Sequence, residues 1–374
     1  MNALNQLHEK GQSIWYDNIQ RQLLENGVLA KLISSGDIRG VTSNPSIFHN
    51  AISKSSDYDA ALKPLAVAGC SAEEIFYQLA LDDIRTAADL FMPLYQQSKG
   101  GDGYVSMEVS PYLANDTQGT IKEAKRLWDL INRPNLMVKI PATAQGIPAI
   151  KQSIAAGINI NVTLIFSLER YKQVMEAYLG GLEQRLGSGL PISSIASVAS
   201  FFVSRVDTNV DAQLQKRMES ADPKSQAAAQ LLGKAAIANA RMAYALFRQT
   251  FGTPRFNQLM AHGAQYQRPL WASTSTKNPA YRDVMYVEDL IGPDTVDTVP
   301  PQTLDAFRDH GHVEITLSDN AADSKKIIEQ LESLGISMKQ VTQQLEEEGV
   351  KAFSDAFTAL LKTITDRSAQ ALTE

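Results

Sequence analysis

Short apolar runs alternate with longer amphipathic stretches along most of the chain. The apolar runs read as strands at 13–17 (SIWYD), 38–44 (IRGVTSN), 103–110 (GYVSMEVS), 135–141 (NLMVKIP) and 158–166 (ININVTLIF). Three more fall at 194–204 (SIASVASFFVS), 268–274 (RPLWAST) and 296–299 (VDTV), the last being the weakest. Between them, helical periodicity marks Thr120 to Ile131, Leu168 to Leu186 and Ser225 to Gln249. Strands that alternate with helices imply βαβ units and a parallel sheet. Eight of them predict an α/β fold of the (β/α)8 barrel type, a TIM barrel. An open sheet is the alternative if 296–299 is not a strand. Asn44 and Pro45 suit the N-cap and first position of a helix, which puts the end of the second strand at Thr42–Asn44.

After Pro300-Pro301 the strand pattern stops. Residues 319–374 read as two or three helices, and the acidic run in QQLEEEGVK reads as a solvated helix face. The expected organisation is one barrel domain over 1–374, with its core at about 13–300 and a C-terminal helical extension at about 301–374. Such an extension could cover the barrel mouth, form a subunit interface or only add stability; the sequence does not choose. It leaves the oligomeric state, and a homo-oligomer, equally open.

Side chains alternate across a strand, so each run has two faces. Ile160, Val162, Leu164 and Phe166 oppose Asn159, Asn161 and Thr163. Val105, Met107 and Val109 oppose Ser106, Glu108 and Ser110. Leu136, Val138 and Ile140 oppose Met137 and Lys139. The apolar faces suit the layer beneath the helices, which sends Glu108, Lys139, Asn161 and Thr163 into the barrel. A buried lysine is rare unless something pairs with it, because desolvating an ammonium is costly. One reading is an ion pair of Lys139 with Glu108 that only joins strands, which adds little net stability. The recurrence of polar inward groups on neighbouring strands favours an active site, since inward groups near strand C-termini form one in barrels. A desolvated lysine holds more free amine and can form a Schiff base with a ketone. The protonated imine is an electron sink for cleavage of a nearby carbon–carbon bond. Glu108 and Thr163 suit the proton transfers of carbinolamine dehydration, and Asp17 suits the hydroxyl proton of the breaking bond.

Composition narrows the setting. The 374 residues are 44% hydrophobic and 20% charged, enough for a large core. A net charge of −6 with no Lys/Arg-rich block argues against nucleic-acid or membrane-surface partners. The polar start MNALNQLHEK does not read as a signal peptide. No apolar run reaches the ~18 residues of a membrane span. The one cysteine, Cys70, excludes an internal disulfide framework and suits a cytoplasmic location.

The segments TSNPSIF (42–48), VSMEVSP (105–111), MVKIPAT (137–143), INVTLIFS (160–167) and SFFVSR (200–205) resemble those of transaldolases, in that family's order. The resemblance covers roughly 13–300 and implies a (β/α)8 barrel with a Schiff-base lysine on the fourth strand. It implies Lys139 as nucleophile, Asp17 as acid/base for the cleaved bond, and Glu108 with Thr163 handling a catalytic water. Asn44 and Asn161 would hold a dihydroxyacetone unit, Ser200 its hydroxyls, and Arg205 the substrate phosphate. The implied reaction moves dihydroxyacetone from sedoheptulose 7-phosphate to glyceraldehyde 3-phosphate, giving erythrose 4-phosphate and fructose 6-phosphate, with no cofactor or metal. Two positions depart from the family pattern. Lys277, in WASTSTKNP, stands where many shorter members have a phosphate-binding arginine, and Ser110 where many have an acidic residue. Related fructose 6-phosphate aldolases carry a tyrosine at the position of Phe202, so Phe202 favours transfer over net cleavage. A non-catalytic sugar-phosphate-binding barrel is the alternative of another class.

Other signals carry less. His310 and His312 have no further ligands at zinc spacing. His8, His49 and His262 read as isolated packing or surface residues, and Cys70 as a small filler. No G-x-G-x-x-G, Walker or G-x-S-x-G pattern occurs. Trp15, Trp128 and Trp271 read as core or pocket wall.

Overall fold

The structure is a computed structural model that describes residues 2–219 and 225–373; residue 374, at the end of the expected extension, lies outside them. Eight parallel strands close into a barrel in chain order: β1 (Gln12–Tyr16), β2 (Gly40–Val41), β3 (Tyr104–Glu108), β4 (Leu136–Pro141), β5 (Ile160–Ile165), β6 (Ser197–Phe202), β7 (Gln267–Ala272) and β8 (Thr295–Val299). Each expected strand is present, including the weak last one, which pairs with both β1 and β7. The second is far shorter than 38–44, because Thr42 to Asn44 leave the ladder and turn into the helix Pro45–Lys54. Asn44 caps that helix by accepting a hydrogen bond from the Ile47 N–H at 3.0 Å.

Two expectations need correction. The stretch from Ser225 to Gln249 is not one helix but Ser225–Ala229 and Ala235–Phe251. Gly233 between them takes φ +69°, in the left-handed region open to glycine. Its N–H donates to Asp211 at 3.0 Å, and the Ala236 N–H donates to Asp207 at 2.8 Å. Side-chain acceptors on the preceding helix, Ser204–Met218, thus pull the chain out of helical pairing. The second correction concerns β5. Leu164 has φ +60°, rare for a residue with a side chain, and the β5–β6 register shifts between Val162 and Ile165. The bulge hands the outward position to Ile165, which pairs with Phe201 under the helix layer. Leu164 and Phe166, expected on that outward face, turn instead toward the barrel mouth, where Phe166 packs on Phe202 at 5.1 Å between ring centroids.

The two barrel ends differ. At the N-terminal end Asp102 accepts from Ser13 at 2.9 Å and Arg39 at 2.6 Å, while Arg268 reaches Ser13 and the Thr295 carbonyl. This buried network plugs the bottom. The C-terminal end is crossed by a helix from the extension, Met338–Ala371, which packs against Pro45–Lys54, Asp59–Val67 and Ala72–Gln97. Phe353 on this helix joins the wall of the cavity at the mouth, so the extension covers that end. The acidic run lies on this helix, where Glu346 pairs with Arg170 at 3.2 Å. No helix among the described residues is long and apolar enough to cross a membrane.

Beneath the helices, Asp297 on β8 is fully buried, with a hydrogen bond from Thr274 at 2.8 Å and its Oδ2 unpartnered. Burial pushes its carboxyl up to about 8, against the Thr274 bond, which lowers it. A carboxyl raised in the folded state binds more protons there than in the unfolded chain between pH ~4 and 8. Stability must then fall as pH rises through that window. Asp297→Asn, which keeps the acceptor and removes the proton, should gain on wild type by roughly 1 kcal/mol per pH unit across it. Urea titrations of both proteins at pH 5 and pH 8 check this; a constant difference between them contradicts it.

Candidate active site

Alternation along the strands brings one polar face to the mouth. Register places Glu108, Lys139 and Asn161 side by side on β3, β4 and β5. Above them lies a cavity of about 190 Å³ lined by Asp17, Asn44, Lys139, Thr163, Ser200, Phe202, Arg205 and Lys277. Two of the expected site residues, Glu108 and Asn161, sit outside its wall.

Lys139 is 5% exposed. Its Nζ donates to the Ser43 carbonyl at 3.2 Å and lies 5.6 Å from the ring centroid of Phe353. Among the described residues no carboxylate is ion-paired with it, so the strand-joining pair with Glu108 is not what holds it. The charge is instead balanced at longer range by two carboxylates. Asp17, just past β1, accepts from Thr42 at 2.6 Å, and Thr42 in turn contacts Thr298 at 2.6 Å. Burial raises the Asp17 carboxyl, while Lys139, the Thr42 bond and Lys277 pull it down. Glu108 is pushed up to about 7, chiefly by burial and further by Asp17, against the opposing pull of Lys139. Glu108 Oε2 and Thr163 Oγ1 are buried without a hydrogen-bond partner among the described residues. A void of about 10 Å³, lined by Glu108, Asn44 and Ser110 among others, adjoins Glu108. That is about the least space that admits one water.

Asn161, beside Lys139 in register but off the cavity wall, donates to Ser106 Oγ at 3.0 Å and accepts from Ser200 Oγ at 2.7 Å. It orients Ser200, which does line the cavity. Asn44 spends its oxygen on the helix cap, which leaves its amide N–H groups for the cavity.

The opposite end of the cavity is cationic. Arg205 stacks over Phe202 at 5.3 Å, and burial lowers its guanidinium, with Glu348 raising it. Lys277 is lowered by burial and then by Arg205, against Asp17, and it donates to Ser275 at 2.6 Å. A half-buried Arg205 and an exposed Lys277 that repel one another, neither ion-paired among the described residues, make a ready anion site. The loop bearing Lys277 is tied to the helix bearing Arg205 by Tyr281 and Tyr286. Their hydroxyls donate to Asp211 at 2.6 Å and Asp207 at 2.8 Å.

Sequence reasoning missed Thr42, Ser273, Ser275, Thr298, Pro300 and Phe353 on the cavity wall. Thr42 lies inside a quoted segment and Thr298 inside the weakest strand, so alternation could have found both. Nothing local marks Phe353, which arrives from the far end of the chain.

Two grooves of about 520 Å³ lie elsewhere, one beside Arg170 and Glu346, the other at the plugged bottom around Arg39 and Asp102. In the second, Ser13 is taken up by Asp102 and Arg268, and Asp102 by Ser13 and Arg39. His310 is held by Asp283 at 2.9 Å and Asp309 at 3.1 Å on the surface.

A family model described as Transaldolase/Fructose-6-phosphate aldolase matches residues 14–364. The chain is 50% identical over 365 residues to Transaldolase 2 of Streptomyces coelicolor, covering 96% of each chain. It is 48% identical over 365 residues to a transaldolase of Parafrankia sp., covering 97% of each. It is 45% identical over 370 residues to that of Trichodesmium erythraeum, covering 98% of this chain and 97% of the relative.

The electrostatics give a test that needs no substrate. Carboxyl titration of Glu108, followed by carbon NMR, should show a midpoint near 7. Lys139→Met should raise that midpoint and Asp17→Asn should lower it. A Glu108 midpoint in the ordinary carboxylate range, unmoved by either change, contradicts the coupling.

Proposed function

The chain belongs to the transaldolase/fructose-6-phosphate aldolase family, and from that membership we propose how its residues divide the transaldolase reaction. The overall activity is transfer of a three-carbon ketol unit between sugar phosphates, a step of the pentose phosphate pathway. Lys139 attacks the C2 ketone of the donor, sedoheptulose 7-phosphate. Glu108 and Thr163 manage the water lost from the carbinolamine, and their unpartnered buried atoms support that role. A carboxyl titrating near 7 can both give and take a proton at neutral pH. Asp17 then takes the C4 hydroxyl proton as the C3–C4 bond breaks. Erythrose 4-phosphate leaves, and the electron pair stays on Lys139 as the enamine of dihydroxyacetone. Glyceraldehyde 3-phosphate accepts the enamine carbon, Asp17 returns its proton, and hydrolysis of the new imine frees fructose 6-phosphate.

Arg205 and Lys277 bind the phosphate. Lysine supplies a point charge where arginine would supply a fork, so Arg205 carries the directional part. Asn44 and Ser200 hold the dihydroxyacetone hydroxyls, with Asn161 acting through Ser200. Phe202 offers no hydroxyl to orient a hydrolytic water, which supports transfer over release of free dihydroxyacetone. A cytoplasmic setting belongs to the same proposal, on the unpaired Cys70.

One observation carries this reading: the Lys139 amine and the Arg205–Lys277 pair open onto the same cavity. Lys139→Met should lower kcat by about 10³-fold or more while far-ultraviolet circular dichroism and thermal midpoint stay native. Turnover retained in that variant would sink the assignment. Arg205→Ala should raise KM for each sugar phosphate by roughly 10- to 100-fold with a smaller change in kcat. Lys277→Ala should do the same more weakly; unchanged KM in both contradicts the phosphate site.

A further inference from the structure

The roof of the cavity comes from the extension. Phe353 lies on the helix that crosses the mouth, is 7% exposed, and presents its ring to Lys139 Nζ at 5.6 Å from the centroid. The Ser43 carbonyl holds Nζ at 3.2 Å, so one hydrogen-bond acceptor and one aromatic face bracket the amine. The helix is seated closely at this level. Gly349, one turn before Phe353, faces Leu164 and Phe166, and a Cβ there would lie 3.0 Å from Leu164 Cδ2. Phe357, one turn after, packs on Phe76 at 5.4 Å and Tyr112 at 5.3 Å between centroids. Gly349, Phe353 and Phe357 therefore form one helix face, with Phe353 the member that reaches the reacting nitrogen.

An iminium on Lys139 is a cation, and an aromatic face in a desolvated site stabilises it. The same ring carries no group that can hydrogen-bond a water. After the aldehyde leaves, the enamine has two fates. It can add its carbon to an acceptor aldehyde, or it can take up a proton and become an iminium again. In the second case water adds to the iminium carbon, the carbon–nitrogen bond breaks, and free dihydroxyacetone leaves with the Lys139 amine restored. We infer that Phe353 is a specificity-determining residue that favours transfer by covering Lys139 with a face that cannot orient water. The inference rests on the Schiff-base reading of Lys139 and adds to it a role for the C-terminal helix.

The test follows both products from fructose 6-phosphate with limiting erythrose 4-phosphate: free dihydroxyacetone and sedoheptulose 7-phosphate. Phe353→Ala should raise the ratio of release to transfer by about tenfold or more. Phe353→Leu, which keeps the helix seated and gives up part of the cover, should raise it by a smaller factor. Ile364→Ala loosens the same helix at a buried position that lines neither the cavity nor the void beside Glu108, and should leave the ratio at the wild-type value. An unchanged ratio in the folded Phe353 variants overturns the inference, as does an equal rise in Ile364→Ala. Borohydride trapping run in parallel separates the two levels of failure. If wild type forms no adduct on Lys139, the Schiff-base reading falls; if the adduct forms and the ratio does not move, only the role of Phe353 falls.

Discussion

The mouth of this barrel is organised around an ammonium group kept out of water. Removing Lys139 from solvent costs several kcal/mol, and a direct ion pair would repay much of that while blocking the nitrogen. The structure distributes the compensation instead. A backbone carbonyl from Ser43 takes one hydrogen bond, the Phe353 ring supplies a polarised face, and Asp17 and Glu108 act through space. Each leaves the nitrogen open toward the cavity. The same arrangement sets the carboxylates apart. Burial raises both, but Asp17 is opposed by Lys139, the Thr42 bond and Lys277, whereas Glu108, opposed by Lys139 alone, is raised to about 7. Different environments thus give two carboxyls different tasks.

The rest of the fold positions this cluster. The arginine–aspartate plug closes the bottom, so the polar interior opens at one end only. The bulge at Leu164 turns two apolar side chains upward, giving the crossing helix a surface to rest on. Asp207 and Asp211 bind the loop of Lys277 to the helix of Arg205, holding the cationic end of the cavity together. Stability elements and reactive groups therefore occupy different levels of one barrel.

Much of this was legible because strands alternate. The period of two assigns Glu108, Lys139, Asn161 and Thr163 to the interior, and Asn44-Pro45 gives the start of the helix after β2, though the strand itself ends earlier, at Val41. Alternation failed where the backbone leaves the strand path. Leu164 and Phe166 were placed on the wrong face because one residue in the left-handed region resets the phase, and no glycine announces it. The break at Gly233 was hidden for a related reason: its cause is a pair of aspartates on another helix. For Asn161, inward position alone does not give access: it lies off the cavity wall, hydrogen-bonded to Ser106 and Ser200. Phe353 was invisible because its partner, Lys139, lies on a distant strand.

The central claim is that Lys139 forms the covalent intermediate. The direct measurement is borohydride reduction in the presence of fructose 6-phosphate, followed by mass mapping of the modified peptide. The expected result is a reduced three-carbon adduct on Lys139 and on no other lysine. An adduct on Lys277, or no adduct on folded and active protein, contradicts the claim.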